Sequence, residues 1–162
     1  MNCRAAQYLA RDGEHLVLEG YRRWCSGVIT GNHSHWKIAE QTFTTRLGKQ
    51  EAGLALDALR KFTQTLGCCA SCPLKTSPAG CQSLCRDEVM ILGLLSGIQH
   101  GEQTTIFLCL DALVGQNSNQ QVLIPAEMLA TVLHTLGKTL LPVPSGTIRA
   151  ILTEKNSTPT LQ

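Results

Sequence analysis

Five of the eight cysteines in this 162-residue chain lie within one short segment, from Cys68 to Cys85. Cys69 and Cys72 form a C-x-x-C knuckle, in which a tight turn brings both sulfurs onto one ion. Cys81 and Cys85 are four residues apart, so their thiols share one side if a helical turn begins at Cys81. The spacing therefore predicts a metal site with Cys69, Cys72, Cys81 and Cys85 as ligands. Cys68 is a substitute ligand or a redox partner.

Zinc and an iron–sulfur cluster both accept four thiolates, and the spacing of the cysteines does not separate them. We favour zinc as the cofactor, with an iron–sulfur cluster as the alternative. The pattern C-x2-C-x8-C-x3-C differs from the common zinc-ribbon spacing and indicates no family. Two other interpretations stay open: thiol redox chemistry without a metal, and inert or disulfide-bonded cysteines.

The N-terminal segment predicts that the chain stays in the cytoplasm. Charged residues from Arg11 to Glu14 interrupt the apolar core that a signal peptide requires. The longest apolar stretches, around residues 89–98 and 106–114, are shorter than the roughly 20 residues of a membrane-spanning helix. A reducing cytosol keeps thiols free, which favours metal ligation or redox chemistry over a disulfide framework.

The charge distribution allows a second function, nucleic-acid binding. Residues 1–86 hold 11 Lys and Arg against 6 Asp and Glu, whereas residues 87–162 hold 3 against 6. This bias is weaker than that of a dedicated nucleic-acid binder. The candidate contact residues in the basic half are Arg22, Arg23, Lys37, Arg46, Lys49, Arg60 and Lys61.

Motifs for enzymatic chemistry are missing from the sequence. It contains no G-x-S-x-G elbow, phosphate loop, dinucleotide fingerprint or H-E-x-x-H. We therefore predict a cysteine-ligated regulatory or adaptor protein that senses redox state or metal and whose partner is another protein. A thiol oxidoreductase or an iron–sulfur electron-transfer protein is the enzymatic alternative.

The elements that must position the cysteines are predicted to be helices. Aromatic residues make up only 4% of the chain, so the core should consist of aliphatic side chains packed between helices. Apolar stripes predict helices over residues 5–25, 35–47 and 49–66, with turns at 26–27 and 30–32 and a stop at Gly67. Pro, Gly and Ser then indicate an irregular loop over residues 68–83.

The second half is predicted to hold the centre of the core. A helix resumes near Leu84, and residues 89–98 are apolar on nearly all sides, with Gly93 and Gly97 placed for close approach. Residues 103–114 are a helix or a strand. After a polar linker, Pro125 starts a helix that runs to about Leu140, and a short helix follows over residues 147–152. We predict an all-α, compact bundle of five to seven helices over residues 1–155, with the cysteine-rich loop between the third and fourth helices and a disordered tail at 156–162.

Overall fold

Helices supply all the regular structure in the part of the chain that the structure describes. The structure is a computed structural model that describes residues 2–154, with side chains from residue 5 onward. The helices are α1 (Asn2–Leu9), α2 (Asp12–Thr30), α3 (Ser34–Leu47), α4 (Lys49–Cys69), α5 (Arg86–His100), α6 (Gln103–Val114), α7 (Asn119–Thr135) and α8 (Ser145–Glu154), and a 3₁₀ turn spans Gln116–Ser118. The all-α prediction is confirmed. The predicted tail at 156–162 lies outside the described residues.

The first predicted helix is in fact two helices, and the second of them is longer than expected. The chain breaks at Ala10, after α1, and α2 then continues through the predicted turn at residues 26–27 as far as Thr30. Gly27 is helical and close to α3: a Cβ atom there would lie 2.5 Å from Nε1 of Trp36. Gly27 thus permits close helix packing, and α2 instead ends at Gly31, whose φ of 67° suits glycine.

Helix α4 carries the apolar face that its spacing predicts. Ala52, Ala55, Leu59, Phe62 and Leu66 are all buried. The helix does not stop at Gly67 but ends at Cys69. As a result, two of the five clustered cysteines belong to the last turn of α4, and the irregular connector comprises residues 70–85.

Helix α5 is the buried central helix that the sequence predicts. Every residue from Met90 to Gly97 is buried, and α5 packs against α2, α6, α7 and α8. The predicted close approaches are confirmed: a Cβ at Gly93 would lie 2.8 Å from Sγ of Cys109, and one at Gly97 would lie 3.1 Å from Ile106. Small residues on α5 therefore allow α6 to pack tightly against it.

The remaining elements settle one open prediction and correct another. Residues 103–114 form helix α6 rather than a strand, with buried side chains at helical spacing. Pro125 lies inside α7 and not in its first turn, because α7 begins at Asn119 within the predicted linker. Helix α7 ends at Thr135, and Leu140 reaches the core from the segment that connects α7 to α8.

Candidate functional site

The cysteine-rich connector, residues 70–85, joins the end of α4 to the start of α5. At its beginning, the amide of Ser71 donates a hydrogen bond of 3.2 Å to the carbonyl of Leu113 on α6. In its middle, the hydroxyl of Tyr21 donates to the carbonyl of Lys75 at 2.8 Å, and the amide of Lys75 donates to Oδ2 of Asp87 at 2.8 Å. The connector is therefore tied to α6, α2 and α5 by its own backbone.

A buried ion pair between α2 and α5 lies beneath the connector. Nε of Arg22 is 2.7 Å from Oε1 of Glu88, and Nη2 is 3.0 Å from Oε2, so the pair is bidentate. The two side chains are 3% and 0% exposed. A charge pair removed from water is stable only when its remaining donors and acceptors are also satisfied.

The connector supplies those remaining partners. Arg22 donates to the carbonyls of Cys81 and Ser83, each at 2.9 Å. Glu88 accepts from the amides of Ser77 and Cys85 at 2.9 and 3.0 Å. The ion pair and the connector thus complete each other: burial of the pair would be costly without these backbone groups, and these backbone groups would lack their partners without the pair.

The environment keeps both members of the pair charged. Burial opposes ionisation of Glu88, but hydrogen bonds from Arg22 and from the amides of Ser77 and Cys85 outweigh it, so the pKa of this carboxyl lies below its usual value. Burial likewise opposes the charge on Arg22, yet the hydrogen bond to Glu88 raises its pKa. A carboxylate that accepts several such bonds is the common case of a depressed pKa.

The protein should lose stability in acid as Glu88 is protonated. Because the pKa of Glu88 is lower in the folded than in the unfolded chain, its contribution is fully present above the unfolded pKa, about 4.3, and is lost as the pH falls through the folded pKa. Thermal melting at pH 7, 5 and 3 measures this loss. Glu88→Gln should flatten the decrease in Tm below about pH 4.3, relative to the wild type.

A comparison variant separates Glu88 from the other carboxyl groups. The pKa of Asp12 is also lowered, chiefly by its hydrogen bond to Lys138, but Asp12 is far more exposed than Glu88. Asp12→Asn should therefore leave most of the acid-induced decrease in place. Parallel melting profiles for Glu88→Gln and the wild type would contradict the role given to the buried pair.

The thiols around the connector have separate partners. Sγ of Cys81 lies 3.1 Å from Oγ of Ser83, Cys85 donates to the carbonyl of Lys75 at 3.4 Å, and Cys69 donates to Oε1 of Gln121 at 3.2 Å. Cys68 and Cys72 are exposed, and all these cysteines are free thiols.

Two of these thiols differ in acidity. The hydrogen bond with Ser83 lowers the pKa of Cys81, whereas burial raises the pKa of Cys85. A lowered pKa increases the thiolate fraction, which is the reactive form. Of these two thiols, Cys81 is therefore the more readily deprotonated.

The structure does not bring the predicted ligands together. Within residues 2–154, no group of three or more His, Cys, Asp and Glu side chains is arranged to hold a metal ion. The Arg22–Glu88 pair and the backbone contacts hold this loop in the present arrangement. Zinc or iron–sulfur ligation by Cys69, Cys72, Cys81 and Cys85 remains a prediction, and it would require the Cys81 and Cys85 thiols to leave their present partners.

The basic residues predicted for nucleic-acid contact are mostly paired with carboxylates. Arg22 is buried against Glu88 and is not accessible to a nucleic acid, so it does not belong among the candidate contact residues. The others divide into paired and exposed side chains: Arg23 with Glu19, Arg46 with Asp12, Arg60 and Lys61 with Asp57, and the exposed Lys37 and Lys49.

Sequence reasoning missed the residues that organise the connector. Glu88 follows Cys85 by three residues, the spacing of a capping box, and this local signal could have predicted that its carboxylate reaches the Cys85 amide. No local signal identifies Arg22 as its partner, because 66 residues separate the two. Tyr21 is likewise indistinguishable in sequence from an ordinary core aromatic.

The chain matches no protein-family model, no curated protein and no solved structure in the comparisons made. No helix within residues 2–154 combines the length and apolar character needed to cross a membrane.

Proposed function

We propose that this protein is a non-enzymatic regulatory or adaptor module that responds to thiol oxidation through residues 70–85. One observation carries the proposal: the buried Arg22–Glu88 pair binds the backbone of two thiol-bearing residues, Cys81 and Cys85, and of Ser83 between them. A chemical change at these thiols is therefore transmitted directly to hydrogen bonds between α2 and α5. The partner that reads the change is expected to be another protein, and a cytoplasmic location remains a prediction.

The chemistry of the response is a two-electron oxidation. Two connector thiols lose two electrons and two protons and form a disulfide, while one molecule of hydrogen peroxide accepts them and is reduced to two molecules of water. Closing such a bond requires the sulfurs to approach to about 2.05 Å, so the Cys81 and Cys85 thiols must leave Ser83 and Lys75. Oxidation should therefore displace the backbone from Arg22 and Glu88 and release the connector.

Hydrogen exchange of residues 70–85 before and after hydrogen peroxide treatment tests the proposal. Loss of one hydrogen bond to a charged group costs about 1.5–3 kcal/mol, so the connector amides should exchange about tenfold to a hundredfold faster after oxidation. Cys81→Ser and Cys85→Ser should abolish this increase. Cys68→Ser is the matched control, because its thiol is exposed and lies outside the connector.

Two results would reject the oxidation response. One is equal exchange in the reduced and oxidised forms. The other is one equivalent of zinc or iron in protein purified without oxygen, accompanied by its loss in Cys72→Ser, which would establish metal ligation in its place. Elemental analysis and an absorption spectrum of the same preparation read out both metals.

A further inference from the structure

A cleft of about 290 Å³ opens beside the connector, between α2, the end of α3 and residues 80–82. Its volume is close to the lower end of the roughly 300–1,000 Å³ of small-molecule sites. Its walls include Cys81 and His15, together with charged side chains from α2, α3 and the α1–α2 turn. It therefore places the free thiol residue Cys81 at a concave, polar surface.

The charges on the walls favour an anion. Arg11, Arg22 and Arg46 face two carboxylates, Asp12 and Glu19. Both carboxylates already have cationic partners: Asp12 is bonded to Arg46 and Lys138, and Glu19 is bonded to Arg23. The lining residues alone carry a net charge of +1. The net charge stays at +1 when their ion-pair partners are included, which are Glu14, Glu88, Arg23 and Lys138.

Arg11 and Arg46 have N–H donors that are available to a ligand. Arg11 uses Nε for Glu14 and Nη2 for the carbonyl of Thr139, and Arg46 uses Nη1 for Asp12. Their side chains are 44% and 40% exposed. The remaining guanidinium nitrogens donate to no acceptor within the described residues. A guanidinium with a free edge is well suited to bind a carboxylate.

The thiol is held at the edge of the same cleft. The carbonyl of Cys81 is fixed by Nη1 of Arg22 at 2.9 Å, and its Sγ contacts Oγ of Ser83. The backbone that carries the sulfur is thus anchored to the buried ion pair. Arg11, Arg46 and Cys81 all line this one cleft.

We propose that this cleft binds a low-molecular-weight disulfide that carries carboxylate groups, and that Cys81 exchanges with it to form a mixed disulfide. This inference rests on the thiol-sensing function and adds a second reactant to it. The Cys81 thiolate attacks one sulfur, so that a new S–S bond forms while the original S–S bond breaks. The departing sulfur is reduced to a thiolate and takes up the proton that Cys81 released.

Oxidised glutathione is the probe for the test, and uncharged hydroxyethyl disulfide is its matched control. Peptide mapping by mass spectrometry should find the glutathione adduct first on Cys81, ahead of the exposed Cys68 and Cys72. Arg46→Gln and Arg11→Gln should each slow the reaction with oxidised glutathione about threefold or more, and should leave the reaction with hydroxyethyl disulfide unchanged. Added salt should slow only the anionic reagent.

The outcomes separate this inference from the function on which it rests. Adducts spread evenly over the exposed cysteines, or arginine variants that react with oxidised glutathione at the wild-type rate, would overturn the anion-binding cleft. If peroxide still releases the connector in that case, the proposed oxidation response is retained and only the anion-binding cleft is rejected. Circular dichroism confirms that each variant is folded, and the hydroxyethyl disulfide rate provides a second check on an intact site.

Discussion

Replacing Arg22 by alanine should lower the free energy of unfolding by about 3–5 kcal/mol, because it leaves the buried carboxylate of Glu88 without its counter-charge. The carbonyls of Cys81 and Ser83 lose their donor in the same step. For a chain of this length, the change corresponds to a decrease in Tm of about 10 °C. Thermal melting at pH 7 and urea titration measure it independently.

The control for this prediction is an ion pair at the surface. Arg60 and Asp57 lie 3.0 Å apart with both side chains more than half exposed. Arg60→Ala should leave the Tm nearly unchanged, since exposed pairs contribute little. A double variant, Arg22→Leu with Glu88→Leu, should be less destabilised than Arg22→Ala, because no unpaired charge is left in the interior. Equal effects of Arg22→Ala and Arg60→Ala would show that the buried pair is not required.

Replacing Phe62 by alanine should also cost about 3–5 kcal/mol, for a different reason. The ring of Phe62 is fully buried in the middle of α4, and its removal combines lost apolar burial with a cavity in the core. Leu54→Ala on the same helix is the control: that side chain is 59% exposed, so its loss should change stability by less than about 0.5 kcal/mol. Urea titrations of both variants test the difference, and similar midpoints would contradict the burial of Phe62.

A comparison of Arg22→Ala with Phe62→Ala distinguishes local release of the connector from general loss of stability. Arg22→Ala and Phe62→Ala should be destabilised to a similar extent, but only Arg22→Ala removes contacts of residues 70–85. In native buffer, alkylation of Cys85 should therefore accelerate in Arg22→Ala and stay close to wild type in Phe62→Ala. Alkylation of Cys85 measures the release of the connector, because this thiol is half-buried and hydrogen-bonded to the carbonyl of Lys75 while the connector is in place. Equal acceleration in both variants would mean that global unfolding, and not local release, exposes the thiol.

The buried pair also explains how a loop rich in Pro, Gly and Ser is held against the helices. The backbone groups of the loop form hydrogen bonds with the buried Arg22–Glu88 pair, which requires such partners. Order in the loop and burial of the pair therefore depend on each other. This mutual dependence makes the site sensitive to chemistry at its cysteines. A loop held by apolar packing alone would tolerate the same change with less effect on the helices beneath it.

The sequence by itself determined the features that depend on neighbours along the chain. Helical periodicity identified the buried face of α4 and the central helix α5, and the glycines of α5 indicated the close approach of a neighbouring element, which the structure shows to be α6. Turn-forming residues located the connector. These features are encoded locally, because the side-chain period and backbone preferences act over a few residues. The prediction from local preference was wrong at Gly27, where a turn was expected. Gly27 instead continues α2, because its lack of a side chain lets α2 pack against Trp36.

Only the tertiary structure decided what the cysteines contact. The pairing of Arg22 with Glu88 depends on α2 lying against α5, and the cleft beside Cys81 depends on α2, α3 and the connector meeting. In the sequence, Arg22 is indistinguishable from an exposed basic residue, and the five cysteines look like ligands of one ion. The physical reason is that burial and charge pairing are properties of residues far apart in the chain, whose energies exist only once the helices have packed.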